Sequence, residues 1–199
     1  MLSNDLVPSM SYGKVFVVSA PAGTGKTTLA KRLVNTFSNI VHIPTTTTRS
    51  KREDEVAGKD YMFVSEEEFL SKIEQGDLLE HIQLYGNYYG TSKQDVDTII
   101  SQGKHALLVI DTQGAQIVKQ QYQAVSIFIK PPSMDELISR LQGRATEDTA
   151  MREKRIAWAK YELLQEKGFD YVLVNDSLER AFTILASIVI AETHTKDIV

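Results

Sequence analysis

Read as apolar and polar positions, the chain alternates short apolar runs with segments of helical period. Val15-Phe16-Val17-Val18 is a continuous, β-branched run of strand length, the pattern of a parallel strand covered on both faces. Leu29, Leu33, Val34 and Phe37 follow at helical spacing, and 40–43 is a second apolar run closed by Pro44. The rhythm resumes with a helix near 93–102, a strand at 106–110, a helix over about 113–121 and a strand at 125–129. Ser133 and Glu136 read as a capping box for a helix that carries Met134, Leu137, Ile138 and Leu141 on one face. A long helix with Ile156, Ala159, Leu163 and Leu164, a strand at 171–174 and a helix over about 178–191 complete the pattern. Strands alternating with helices predict an α/β fold with a parallel sheet covered on both faces.

Two stretches break the rhythm. From Thr45 to about Ser92 come four successive Thr, the charged run Arg49-Ser50-Lys51-Arg52-Glu53-Asp54-Glu55, and Tyr61, Tyr85, Tyr88 and Tyr89. Ser65 with Glu68 predicts a capped short helix ended by Gly76, and Gly86-Asn87 predicts a hairpin turn. This reads as a small mixed lobe (45–92) inserted into the core. Residues 142–153 lose apolar period and carry Arg144, Glu147, Asp148 and Arg152, which suits a mobile lid. The core is then 12–44, 93–141 and 154–191, and 1–11 is expected to be a flexible polar extension, with Met10 an alternative start.

Composition narrows the function. The 199 residues are 42% hydrophobic and 24% charged, an ordinary balance for one globular domain. A net charge of −4 disfavours a nucleic-acid partner. The absence of Cys excludes a disulfide framework and a thiolate metal site, and the four His lack metal-ligand spacing. No apolar run approaches the ~20 residues of a membrane span, and no signal pattern opens the chain, so a cytoplasmic protein is expected. Its state is expected to be a monomer or a small homo-oligomer.

Between the first strand and helix lies Ala20-Pro21-Ala22-Gly23-Thr24-Gly25-Lys26-Thr27-Thr28, in the strand–loop–helix setting that a P-loop requires. Backbone N–H groups of such a loop converge on phosphate oxygens at the helix N-terminus. Lys26 would reach the β- and γ-phosphates of ATP, and the Thr27 hydroxyl would sit on Mg²⁺. Ala20 stands where the strict motif has Gly, and a positive φ there would strain it.

Five motifs in order resemble guanylate kinase: the P-loop, Thr47-Thr48-Arg49-Ser50-Lys51-Arg52, Gly58-Lys59-Asp60-Tyr61-Met62-Phe63-Val64, Gly86-Asn87-Tyr88-Tyr89-Gly90 and Asp111-Thr112-Gln113-Gly114. The resemblance runs from about Gly13 to Ala191 and implies transfer of the ATP γ-phosphate to GMP or dGMP. It assigns the GMP phosphate to Arg49, Arg52, Tyr61 and Tyr89, and two Arg three apart can fork one phosphate dianion. It assigns the guanine to Glu80 and Asp111, with hydroxyls from Thr45 and Thr91. A carboxylate accepts from guanine N1–H and its amino group together, and adenine offers no such pair. Lys26, Arg140, Arg144 and Arg155 would stabilise the moving phosphoryl group. Asn175 and Asp176 fall near the adenine side. Val109 stands where the family has its first acidic residue of Asp-x-Asp, which leaves Mg²⁺ to Thr27 and the phosphates. Taken singly, these Arg and Glu80 read as solvated surface, and the tyrosines as hairpin packing. Two other readings compete: a sugar-phosphate kinase acting on a substrate such as ribose 1,5-bisphosphate, which needs no guanine-reading Glu80, and a non-catalytic phosphopeptide-binding module, which would lack Lys26 and the lid arginines.

Overall fold

A computed structural model describes residues 12–142 and 149–194. The run predicted as the first strand forms β1 (Val15–Ser19), every residue of it buried. The chain continues through α1 (Lys26–Thr36), β2 (Ile40–His42), β3 (Thr45–Thr47), β4 (Tyr61–Phe63), α2 (Glu66–Glu74), β5 (Leu78–Leu84) and β6 (Asn87–Ser92). Then come α3 (Lys93–Ser101), β7 (His105–Val109), α4 (Thr112–Tyr122), β8 (Val125–Lys130), α5 (Met134–Gln142), α6 (Thr149–Leu164), β9 (Tyr171–Val174) and α7 (Leu178–Thr193).

The core sheet is parallel throughout, with order β2-β7-β1-β8-β9 and β1 at its centre. Alternation along β1 explains its unbroken hydrophobicity. Phe16 and Val18 pack with Leu29 and Leu33 of α1 and Ala181, Leu185 and Val189 of α7. Val15 and Val17 face the other way, onto Val96 of α3 and Ala115 and Val118 of α4. Both faces are covered, as the apolar pattern requires.

Residues 45–92 build a second, four-stranded mixed sheet, ordered β4-β3-β6-β5. It is tied to the core where Leu79 of β5 joins the α3–α4 cluster. The reciprocal capping box of Ser65 and Glu68 opens α2, and Gly76 follows its end with φ +71°.

Several sequence expectations shift. The hairpin turn falls on Tyr85-Gly86, one residue earlier than predicted, because Leu84 pairs with Asn87. Both turn residues have positive φ (52° and 79°), the backbone that a tight two-residue hairpin needs, and Tyr85 adopts it without being Gly. At α5, the Ser133 hydroxyl accepts from Glu136 N, but the Glu136 carboxylate binds Arg140 instead of closing the box. Leu164, expected on the packed face of α6, is 76% exposed. Helix α6 also begins at Thr149, inside the segment read as a lid, since its residues are good helix formers even without an apolar period. The rest of that segment, 143–148 with Arg144, and the extension 1–11 lie outside the described residues. Among the described residues no helix is long and apolar enough to cross a membrane.

Candidate active site

Where β1 ends, the chain turns through Ala20–Gly25 into α1. Gly23 and Gly25 take φ of +84° and +94°, and Gly25 is the N-cap. Such backbone favours Gly, and at Gly25 an added Cβ would also stand 2.6 Å from Asn175 Nδ2. Asn175, buried just after β9, donates to the Thr24 carbonyl at 2.7 Å, and the Thr24 hydroxyl donates to Pro21 O at 2.7 Å. Asn175 therefore braces the loop, a role the sequence did not suggest. Ala20 is fully buried in the α1–α7 cluster and its φ is not positive, so the expected strain is absent. Lys26 folds its ammonium back onto the Ala20 and Pro21 carbonyls. Thr27 and Thr28 stand exposed on the first turn of α1.

Facing the loop is a cavity of about 150 Å³ lined by Ala22, Lys26, Thr45, Tyr61, Glu80 and Asp111, and also by Tyr89, Val109, Trp158 and Glu162. Glu80, on β5, is 3% exposed, and its Oε1 accepts from Thr91 Oγ1 at 2.6 Å. Burial and the nearby Asp111 push its pKa up to about 7, although the Thr91 bond opposes them. Asp111 lies just beyond β7 and caps α4: Oδ1 accepts from the N–H of Gln113 (2.7 Å) and Gly114 (3.2 Å). Desolvation raises its pKa despite those bonds. Gly114 has no room for a side chain, since a Cβ there would meet Glu80 Oε2 at 2.5 Å and Asp111 Oδ2 at 3.4 Å. Both carboxylates thus converge over one glycine at the C-terminal edge of the sheet, where α/β folds place ligands.

Arg49 is turned toward the lobe interior. Its Nη2 meets Glu55 Oε1 at 2.7 Å and its guanidinium lies 5.1 Å from the Tyr61 ring centroid. Glu55 also accepts from Arg52 N at 2.9 Å, while the Arg52 guanidinium is half exposed and 3.9 Å away. Ion pairing holds the Glu55 carboxyl below its usual range in spite of desolvation. The charged stretch is therefore a bound network rather than a solvated face, and Glu55 was not singled out from the sequence. Tyr88 stacks on Phe69 at 5.3 Å, whereas Tyr89 lines the cavity.

Of the lid arginines, Arg140 lies beside the P-loop: a Cβ on Gly23 would be 3.8 Å from Arg140 Cβ. Its Nε donates to Glu136 at 3.0 Å. Arg155 of α6 lies 5.5 Å from the Tyr85 ring at the hairpin tip. Arg144 is outside the described residues. Val109 packs against the α1–α7 apolar cluster. A larger cavity of about 480 Å³ opens between α1 and the 54–61 loop and is bridged by the Lys31–Asp60 ion pair at 2.6 Å. It shares only Thr45, Tyr61 and Val109 with the cavity over Glu80.

A braced Gly-rich loop at the head of α1, opposed by a cavity of buried carboxylates and tyrosines, defines a P-loop nucleotide-binding protein of the kinase type. The family model for guanylate kinase matches residues 12–192. The chain is 50% identical to a guanylate kinase of Protochlamydia amoebophila over 182 residues, 92% of each chain. It is 46% identical to one of Chlamydia felis, covering 91% of this chain and 89% of that one. The crystal structure of guanylate kinase from Anaplasma phagocytophilum superposes with a TM-score of 0.77 at 35% identity, covering 94% of this chain and 89% of that one. The chain belongs to the guanylate kinase family.

Proposed function

We infer that the protein is an enzyme transferring the γ-phosphate of ATP to GMP, giving ADP and GDP, with dGMP as a second acceptor. The observation that carries the assignment is the pair of carboxylates, buried Glu80 and half-buried Asp111, lining one cavity with the P-loop Lys26. A site rich in buried acceptors selects a ligand that brings donors, and guanine brings N1–H and an amino group. Neither alternative reading accounts for that pair. A sugar phosphate has no base for it to recognise. A phosphopeptide module has no use for a braced P-loop with its lysine.

In this reading Arg49, Arg52, Tyr61 and Tyr89 hold the GMP phosphate, and Thr45 and Thr91 flank the base. The loop 20–25 with Lys26, Thr27 and Thr28 holds the ATP phosphates. An oxygen of the GMP phosphate forms the new P–O bond as the bond to the β-phosphate oxygen breaks. That oxygen is already ionised, so no general base is needed. Lys26, Arg140, Arg144 and Arg155 balance charge on the transferring group. Lobe 45–92 and lid 142–153 are read as closing over both substrates to exclude water.

The residues also fit Mg²⁺. The Thr27 hydroxyl is exposed at the helix N-terminus and makes no hydrogen bond among the described residues. Bound there, Mg²⁺ would neutralise charge on the β- and γ-phosphates. The reading is tested by ADP release with GMP, dGMP, AMP, UMP and a sugar phosphate side by side. Turnover confined to GMP and dGMP is expected, and turnover with the sugar phosphate alone overturns it.

A further inference from the structure

Two polar groups in the cavity have no part in the roles above. Glu162 on α6 is only 4% exposed, lines the cavity, and forms no hydrogen bond or ion pair among the described residues. It feels the charges of Lys26 and Asp111. One helical turn earlier, Trp158 lines the same cavity, and its indole Nε1 is buried without a hydrogen-bond partner. Residues four apart share a helix face. This face thus presents an orphaned acceptor beside an orphaned donor, and each orphan is costly to leave unmade. Neither group belongs to an apolar core cluster among the described residues, where the ring contact of Trp158 is with Tyr161 of its own helix, centroids 5.0 Å apart.

The ligand chemistry follows by elimination, and rests on the reading of GMP as acceptor. The base is taken by Glu80 and Asp111, and the phosphate by Arg49, Arg52 and the tyrosines. What remains of the nucleotide is the sugar, whose polar groups are hydroxyls. A hydroxyl donates one hydrogen bond and accepts others, and so satisfies a carboxylate and an indole N–H at once. A guanidinium or ammonium would satisfy Glu162 but leave the indole N–H with nothing to bind.

We propose that Glu162 and Trp158 form the ribose-hydroxyl subsite of the acceptor nucleotide, set by α6 to distinguish GMP from its deoxy forms. Glu162 accepts from the hydroxyl and Trp158 Nε1 donates to it. As α6 carries the subsite together with Arg155, sugar recognition is linked to the position of that arginine.

The test compares E162Q and W158F with the parent enzyme on GMP, 2′-deoxy-GMP and 3′-deoxy-GMP at fixed saturating ATP, with melting temperatures recorded to confirm folding. A charge-assisted hydrogen bond is involved, so E162Q is expected to lower kcat/KM for GMP roughly tenfold or more. It should leave unchanged the value for whichever deoxy nucleotide lacks the recognised hydroxyl, which also identifies that hydroxyl. W158F should show the same pattern, smaller. Equal losses on all three nucleotides would overturn the subsite and make Glu162 a counter-ion for Lys26 instead. Failure of the parent enzyme to phosphorylate GMP at all would strike the underlying function rather than this assignment.

Discussion

The two walls of the active site are built on opposite principles. On the P-loop wall the chain satisfies itself: Lys26 rests on the Ala20 and Pro21 carbonyls, Thr24 bonds Pro21, and Asn175 bonds Thr24. On the acceptor wall Glu80, Asp111 and Glu162 are all buried enough for their pKa values to rise. The loop of the first wall is braced before any ligand arrives, and in the proposed reading it takes phosphate, which many ligands carry. The second is left short of donors, so only a ligand that brings them fits well. Generic binding can be preorganised by the backbone, whereas selectivity here is kept as unspent polar capacity.

The strongest way to break this contrast is at Lys26. K26M should reduce turnover on the order of 10³-fold or more, because in the proposed reading the transferring group loses the P-loop cation. Binding of GMP, measured by calorimetry, should change little. A parallel loss of GMP affinity would mean that the two walls are one unit.

Next in size is E80Q. The amide cannot accept two guanine donors, and a drop in kcat/KM for GMP of roughly 10²- to 10⁴-fold is expected while binding of an ATP analogue is spared. The same variant tests the unspent capacity directly. Glu80 titrates at about 7 in the fold against an ordinary 4.5, so the folded chain retains a proton that the unfolded chain releases between those values. Ligand-free stability contributed by this group is therefore greatest below about 4.5 and is lost as pH rises through 7. E80Q removes that loss. It should melt higher than the parent at pH 8, by about 5 °C, with the gap closing toward pH 5. No gap at pH 8 would mean that the carboxylate is already well satisfied.

The same contrast governs what the sequence could reveal. The P-loop wall was legible because its devices are local: a strand run, glycines where φ is positive, and a helix directly after. The acceptor wall is assembled from β3, β4, β5, β6, the start of α4 and α6, and nothing near Glu80 in sequence tells it from a surface Glu after two Leu. Only the five-motif resemblance singled it out. Glu162 and Trp158 fall outside the five motifs, and nothing in their spacing marks a helix face that lines a cavity. Glu55 was hidden in the same way among charged neighbours, since its partner Arg49 is turned inward by Tyr61 and Phe63. The hairpin turn was misplaced by one residue because Gly86 was taken as its first member, and the positive φ of Tyr85 has no sequence mark.

The smallest expected effect belongs to Ala20, the departure that the P-loop pattern made conspicuous. Its methyl is buried among Phe16, Leu29 and Leu33, and its φ is one that any residue adopts. A20G would restore the strict motif, yet it should gain nothing in catalysis. The glycine removes a buried methyl worth about 0.8 kcal/mol and adds backbone freedom to the unfolded chain, so a stability loss of roughly 1–2 kcal/mol is expected. Denaturant unfolding should register that loss while kcat and the KM for ATP stay within about twofold, a change of about 0.4 kcal/mol or less in the barrier. A clear rise in kcat would instead mean that the methyl restrains the loop during transfer, and the P-loop wall would then not be braced before the ligand arrives.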